Sequence, residues 1–263
     1  MVGTTTAEQA ATGVIPGNNF PWAGKSDEIA CNFAFGLIMR NLPPRLAREE
    51  RMHAPTLMAA AGAIAGVCAQ ISLFADAERI EKARAENRIK EMALKDGRVF
   101  LFGEALNDML YSVRDAEVAR SRVWNMLVTA ALQKGLDRSE LPNVPAMFRH
   151  VNASFESVVE GLPSVPQNAQ PLVPVRDLLK LVGPLTLAAL DGELQPGLAL
   201  NGQDLRANRK SWVAITAQVA GNLLLTASRV MPPAMCLTIA MESAIYASKL
   251  HTNTVQTAPD AAA

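Results

Sequence analysis

Asn107, His150, Gln218, Asn222 and Glu242 stand within stretches whose other residues are largely apolar, and they can do chemistry that their neighbours cannot. A side-chain amide offers both a donor and an acceptor, an imidazole moves a proton near neutral pH, and a carboxyl in apolar surroundings retains one. Gln218 and Asn222 lie one helical turn apart and share a face, as do Glu242 and Tyr246, with Lys249 a further turn along. Gln70 is another polar residue in an uncharged run. Each such group needs a partner once buried, since an unsatisfied one costs about 1 to 3 kcal/mol. Two arrangements meet that need: a network that fixes helix register, or the lining of a small-molecule pocket. The spacing leaves both open. The five residues named first are the candidate ligand-binding set.

Other constellations dissolve on inspection. Gly24-Lys25-Ser26 resembles the end of a phosphate-binding loop, but Asn19 stands where that loop needs its first glycine, and no strand precedes it. His53, His150 and His251 show no metal-ligand spacing, and no serine sits in a nucleophile elbow. Glu104 and Asp108, beside Asn107, fit the start of a helix, where carboxylates complement the dipole. Cys31, Cys68 and Cys236 lie far apart in apolar stretches and read as buried thiols. No catalytic residue, metal site or cofactor is assigned on this basis, and the balance leans away from an enzyme.

These groups are carried by a chain of 263 residues, 49% of them hydrophobic, enough to bury a full core without a disulfide or metal. Twenty-five basic residues balance twenty-five acidic ones, so the electrostatic footprint of a nucleic-acid binder is missing. Aromatics are only 5%, a balance that favours helices packed on helices. The first 24 residues lack the basic end and apolar run of a secretory signal, and a reducing cytoplasm is the expected location.

The longest uncharged run, residues 54–75, sets the architecture. Ten of its 22 residues are Ala or Gly. Leu57, Ile64, Val67, Ile71 and Phe74 form one stripe at helical spacing, while Ala59, Gly62, Gly66 and Gln70 form a shallow groove fit for a second helix backbone. Gly66→Leu is expected to cost about 1 to 3 kcal/mol through overpacking. The length would span a bilayer, but the run begins at a proline, carries Gln70 and Ser72, and has few large side chains, so no membrane insertion is expected.

The remaining elements follow from caps and breakers. Ser26 is the expected N-cap of a helix that runs to Leu42 and stops at Pro43-Pro44. Residues 76–91 carry ten charges in sixteen positions and read as a solvated face. Lys95-Asp96-Gly97-Arg98 is a turn signal, which predicts a short β-hairpin over residues 89–102. Helices are expected from Glu104, over residues 120–134, and from Asn143 toward Gly161, the last with Val151, Phe155 and Val158 in the core. Pro163, Pro166, Pro171 and Pro174 make residues 162–174 an extended strap. Helices then cover residues 175–190, with a bend at Gly183-Pro184, residues 207–230, and residues 234–250 after Met231-Pro232-Pro233.

The order of these signals resembles a family of uncharacterised proteobacterial proteins over residues 55–249. The matching pieces are Pro55-Thr56 with Gly66 and Gln70, then Asp96-Gly97-Arg98 with Phe100, Phe102, Gly103, Leu106 and Asn107. Val123-Trp124, Leu141-Pro142, Phe148, His150 and Val151 follow, and the most specific block runs from Ile239 through Ile245 to Ser248-Lys249. Residues 157–163 depart from the family's pattern after the histidine-bearing helix. The resemblance implies a cytosolic bacterial protein with this order of helices and hairpin, and no activity.

The expectation is therefore a mainly α-helical, bundle-like single domain over residues 26–250 with one hairpin, a flexible arm over residues 1–25 and a disordered tail over residues 251–263. Its abundant apolar helical surface suggests a non-enzymatic interaction or assembly protein that forms a homodimer. The competing expectation is a small-molecule binding protein or enzyme with a polar pocket inside the bundle.

Overall fold

A computed structural model describes residues 20–47, 51–112, 122–194 and 205–251. Along the chain come α1 (Glu28–Leu46), α2 (Ala54–Phe74), α3 (Ala77–Ala85), a hairpin of β1 (Lys90–Ala93) and β2 (Val99–Phe102), then α4 (Glu104–Leu110) and α5 (Val123–Gln133). There follow α6 (Val144–Ser154), α7 (Val175–Leu190), α8 (Trp212–Ala227) and α9 (Pro233–Lys249). The protein is mainly helical with one two-stranded antiparallel hairpin, as its sequence implies.

The uncharged run is the central helix α2. Every residue of it except Ile71 and Phe74 is buried. Burial on all sides demands close neighbours, and α9 is the closest. A Cβ added to Gly62 would fall on the Ala240 carbonyl, and one added to Gly66 on the Ala244 carbonyl, so only glycine admits this approach. One turn further, Gln70 Nε2 donates to Ser248 O at 2.9 Å. Residues 62, 66 and 70 thus meet 240, 244 and 248 at one constant sequence offset, 178 residues. A constant offset means that the two helices run parallel. α8 and α7 cover other sides of α2. Among the described residues α2 is the one helix long and apolar enough to cross a membrane. Its apolar surface is already covered by this chain.

The hairpin pairs Lys90 with Phe102 and Ala93 with Val99, and Leu94 N–H closes the turn on Arg98 O at 2.8 Å. An isolated bridge joins Phe100 to Leu250, which ties β2 to the end of α9. All three cysteines are free and buried.

Several boundaries differ from those expected. The helix start assigned to Ser26 falls one residue later, at Asp27. The Asp27 carboxylate does not cap the helix; it accepts from Asn208 N–H at 3.1 Å and Ser211 Oγ at 3.0 Å, fixing α1 to the segment before α8. The helix also passes through Pro43-Pro44 to Leu46. Proline inside a helix costs about 3 kcal/mol. Here the last turn continues the buried line of Ile38 and Leu42 with Leu46, and that burial offsets part of the loss. α6 stops at Ser154, and Val158, expected in the core, is 99% exposed. Ser154 Oγ and Ser157 Oγ donate back to the carbonyls of Val151 and Ser154, and Glu156 takes a φ of +60°, so the chain turns away. The expected arm lies outside the described residues up to residue 19. From Phe20 the chain is packed: Trp22 is fully buried and stacks on Phe20 at 4.9 Å. The expected tail lies outside the described residues beyond residue 251.

Candidate functional site

The polar face of α9 behaves as a row of anchors. Glu242, only 2% exposed, accepts from Ser164 Oγ at 2.6 Å and from Ser164 N–H at 2.5 Å, which pins the proline strap to the helix. His150 Nε2, on α6, lies 3.8 Å from the same carboxylate and 3.2 Å from Leu162 O. A carbonyl only accepts, so Nε2 carries the proton and donates. Glu242, His150 and Ser164 thus share the residue types of a hydrolytic triad without its wiring. The serine gives its proton to the carboxylate, and the imidazole nitrogen nearest to it is already a donor. Burial pushes the Glu242 carboxyl above its ordinary value, partly offset by Ser164 and His150. The hollow beside it, near Gly161, Ser243 and Tyr246, measures about 10 Å³, which is water-sized.

One turn on, Tyr246 donates to Glu160 Oε1 at 2.7 Å. Glu160 also receives both arms of the Arg98 guanidinium, one of them at 2.9 Å, and Glu156 N–H at 2.9 Å. The turn after α6 is thereby fastened to the hairpin. Burial pushes the Glu160 carboxyl up, but Arg98 and Tyr246 outweigh it and hold the group at about 2. A depressed carboxyl adds stability that is complete above the ordinary 4.5 and lost as pH falls through about 2. Glu160→Gln is expected to remove that acid-limb dependence and to cost about 1 to 3 kcal/mol at pH 7. Urea unfolding at pH 7 and pH 3 checks this; equal midpoints for the two chains at pH 7 would contradict it.

The other members of the candidate set go elsewhere. Gln218 Nε2 donates to Asn222 Oδ1 at 3.1 Å, both buried on α8, so the two are bonded to each other within one helix. Asn107 Oδ1, on α4, is buried without a hydrogen-bond partner among the described residues. Of the five, the structure brings together His150 with Glu242 and Gln218 with Asn222. None of the five lines the cavity described next.

That cavity, of about 320 Å³, opens where the C-terminal ends of α2 and α7 meet the hairpin, the start of α8 and the chain following α9. Its walls are apolar: Val67, Ile71 and Phe74 from α2, Leu101 from β2, Leu187 from α7, and Trp212. Ile71 and Phe74, the two residues of α2 left partly open, both face it. Five of its twelve lining residues are polar: Gln70, Glu91, Asp191, Arg209 and His251. Gln70 Nε2 donates to Ser248 O at 2.9 Å and to Leu250 O at 2.8 Å. Two carbonyls fix which way the amide points, so Oε1 is the acceptor the side chain has left to offer. Trp212 Nε1 is spent on Ala207 O at 3.0 Å. Arg209 lies over the Trp212 ring at 5.5 Å and 3.6 Å from Asp191, and Glu91 and His251 complete the rim.

A more open hollow of about 550 Å³ lies over Arg98, Arg176, Lys180 and Tyr246. Its charges are largely matched from within, Arg98 by Glu160 and Lys180 by Asp177 at 2.9 Å. Comparison with known proteins finds no matching family model, no matching curated protein and no matching solved structure. A functional reading therefore rests on this geometry.

Sequence reasoning singles out Gln70 as a polar residue in an apolar helix but misses the cavity around it. Glu91, Asp191 and the Arg209–Trp212 segment are far apart in the chain, and no local spacing joins them into one site.

Proposed function

We propose that the chain is a small-molecule binding protein and that the cavity at the end of α2 is its site. The observation that carries this reading is an apolar, aromatic-walled cavity of about 320 Å³ with an oriented amide at its buried side, where Gln70 is 1% exposed. Its volume falls at the lower end of the range typical of ligand pockets, and apolar walls with convergent polar groups are their usual make-up. The reading assigns binding and no catalytic step. The dimer expectation rests on apolar helix faces, and α2, α8 and α9 spend those faces within one chain, so binding is the reading the geometry favours. A cytosolic location stands with it as part of the proposal.

A neutral bicyclic probe, naphthylethanol, tests it by isothermal titration. A single site with a Kd of about 10 to 300 μM is expected. Leu187→Trp, which fills the cavity, is expected to abolish the binding, and Leu181→Trp, at an exposed position on the same helix, to leave it unchanged. No saturable heat, or equal binding by both variants, would overturn the reading.

A further inference from the structure

Resting on that reading, we infer that the occupant is an apolar amine, a ring-bearing molecule whose N–H group meets Gln70 Oε1 while its positive charge faces Glu91 and Asp191. Three independent features converge on this class. First, among the described residues the buried side of the cavity offers an acceptor and no spare donor, because the hydrogens of Gln70 Nε2 go to Ser248 O and Leu250 O and that of Trp212 Nε1 to Ala207 O. A ligand that brings a donor completes the Gln70 amide, and one that brings a carboxylate there leaves two acceptors facing each other.

Second, two carboxylates, Glu91 and Asp191, line the cavity against one cation, Arg209. Glu91 stands opposite Leu101 in the hairpin register, so the same pair of strand positions gives the cavity an apolar wall and a carboxylate. Arg209, the cation that lines the cavity itself, is 59% exposed and already shared between Asp191 and the Trp212 ring; outside it, Arg84 lies 5.9 Å over the Phe74 ring and Arg206 Nε donates to Asp191 O at 3.5 Å. His251 is the remaining titratable group there. Third, two helices end at the cavity. Ala75 follows the last residue of α2 and Asp191 that of α7, and the carbonyl end of a helix carries partial negative charge that favours a cation. The end of α9 adds a third carbonyl end beside His251, while Trp212 opens α8 and Asp76 precedes α3, so carbonyl ends outnumber helix starts there by three to two.

Three probes of one shape separate the chemistry from the cavity: naphthylethylamine, naphthylethanol and naphthylacetate, each titrated calorimetrically into the full chain at pH 7 and low salt. The amine is expected to bind at least about fivefold more tightly than the acid, with the alcohol between them. Glu91→Lys, at an exposed strand position, is expected to shrink the ratio of amine to acid below about twofold. Binding of the alcohol with a smaller ratio in the native chain overturns the amine assignment and leaves the cavity reading standing. Failure of all three probes to bind overturns both.

Discussion

Replacing Gly66 with alanine is expected to destabilise the protein by about 3 kcal/mol, and leucine, for which the spacing alone suggests about 1 to 3 kcal/mol, is expected to prevent folding because a backbone carbonyl occupies the Cβ position. The position has no room even for a methyl group, because its Cβ would fall on the Ala244 carbonyl and come within 2.9 Å of the Ala244 Cα. Backbone cannot yield as a side-chain tip can, so the cost sits at the upper end of the overpacking range. Gly62 meets Ala240 in the same way, and alanine there carries a similar penalty. Because both sites load the same helix pair, the double variant is expected to fall short of additivity: once α2 and α9 have separated, the second methyl meets less resistance. Gly36, which has open space around its Cβ position, serves as the control, and alanine there is expected to be neutral or slightly stabilising. Chemical denaturation of the three variants checks the contrast. Equal stability for Gly66→Ala and Gly36→Ala would mean that α2 and α9 are not in backbone contact.

Lys249→Met is expected to act in the opposite direction and stabilise the protein by about 1 to 3 kcal/mol at pH 7. Lys249 is 2% exposed, and its ammonium meets the face of the Phe102 ring, 4.7 Å away. Burial pushes the amine down to about 8 from an ordinary 10.5. That gap sets an upper bound near about 3 kcal/mol for the cost of keeping the proton, and the cation–π contact offsets part of it. The sign follows from proton binding. Between about pH 8 and 10.5 the unfolded chain holds on Lys249 a proton that the folded chain has released, so the contribution of this group to stability rises with pH through that window. Below pH 8 the cost is constant, and the Lys249→Met chain lacks this contribution to the slope. Urea midpoints of the two chains from pH 7 to pH 10 measure it; parallel curves would show that the amine keeps its proton at no cost.

The backbone architecture is legible in the sequence because it depends on small-residue spacing and on breakers. Gly62, Gly66 and Gln70 mark a groove on α2 whatever covers it, and the Asp96-Gly97 turn signals the hairpin locally. Where expectation fails, burial outweighs local rules. The end of α1 survives two prolines because Leu46 is buried, and α6 ends early because two serines and Glu156 draw the backbone into turns that carry Glu160 to Arg98. The candidate site is legible only in part. Polarity within an apolar helix correctly signals a constrained group, yet it does not separate a pair bonded within one helix such as Gln218 and Asn222 from an anchor such as Glu242 or a cavity-facing amide such as Gln70. That distinction depends on which distant segments arrive. Leu101, Leu187 and Trp212 close around Gln70 from three elements that no spacing relates.

The most direct test of the binding reading is where a bound probe sits. Isotope-edited NMR of the full chain with saturating naphthylethanol is expected to give intermolecular NOEs to Ile71, Leu101, Leu187 and the Trp212 ring. NOEs confined to Tyr246 and Lys180 in the more open hollow, or to scattered surface side chains, would contradict it.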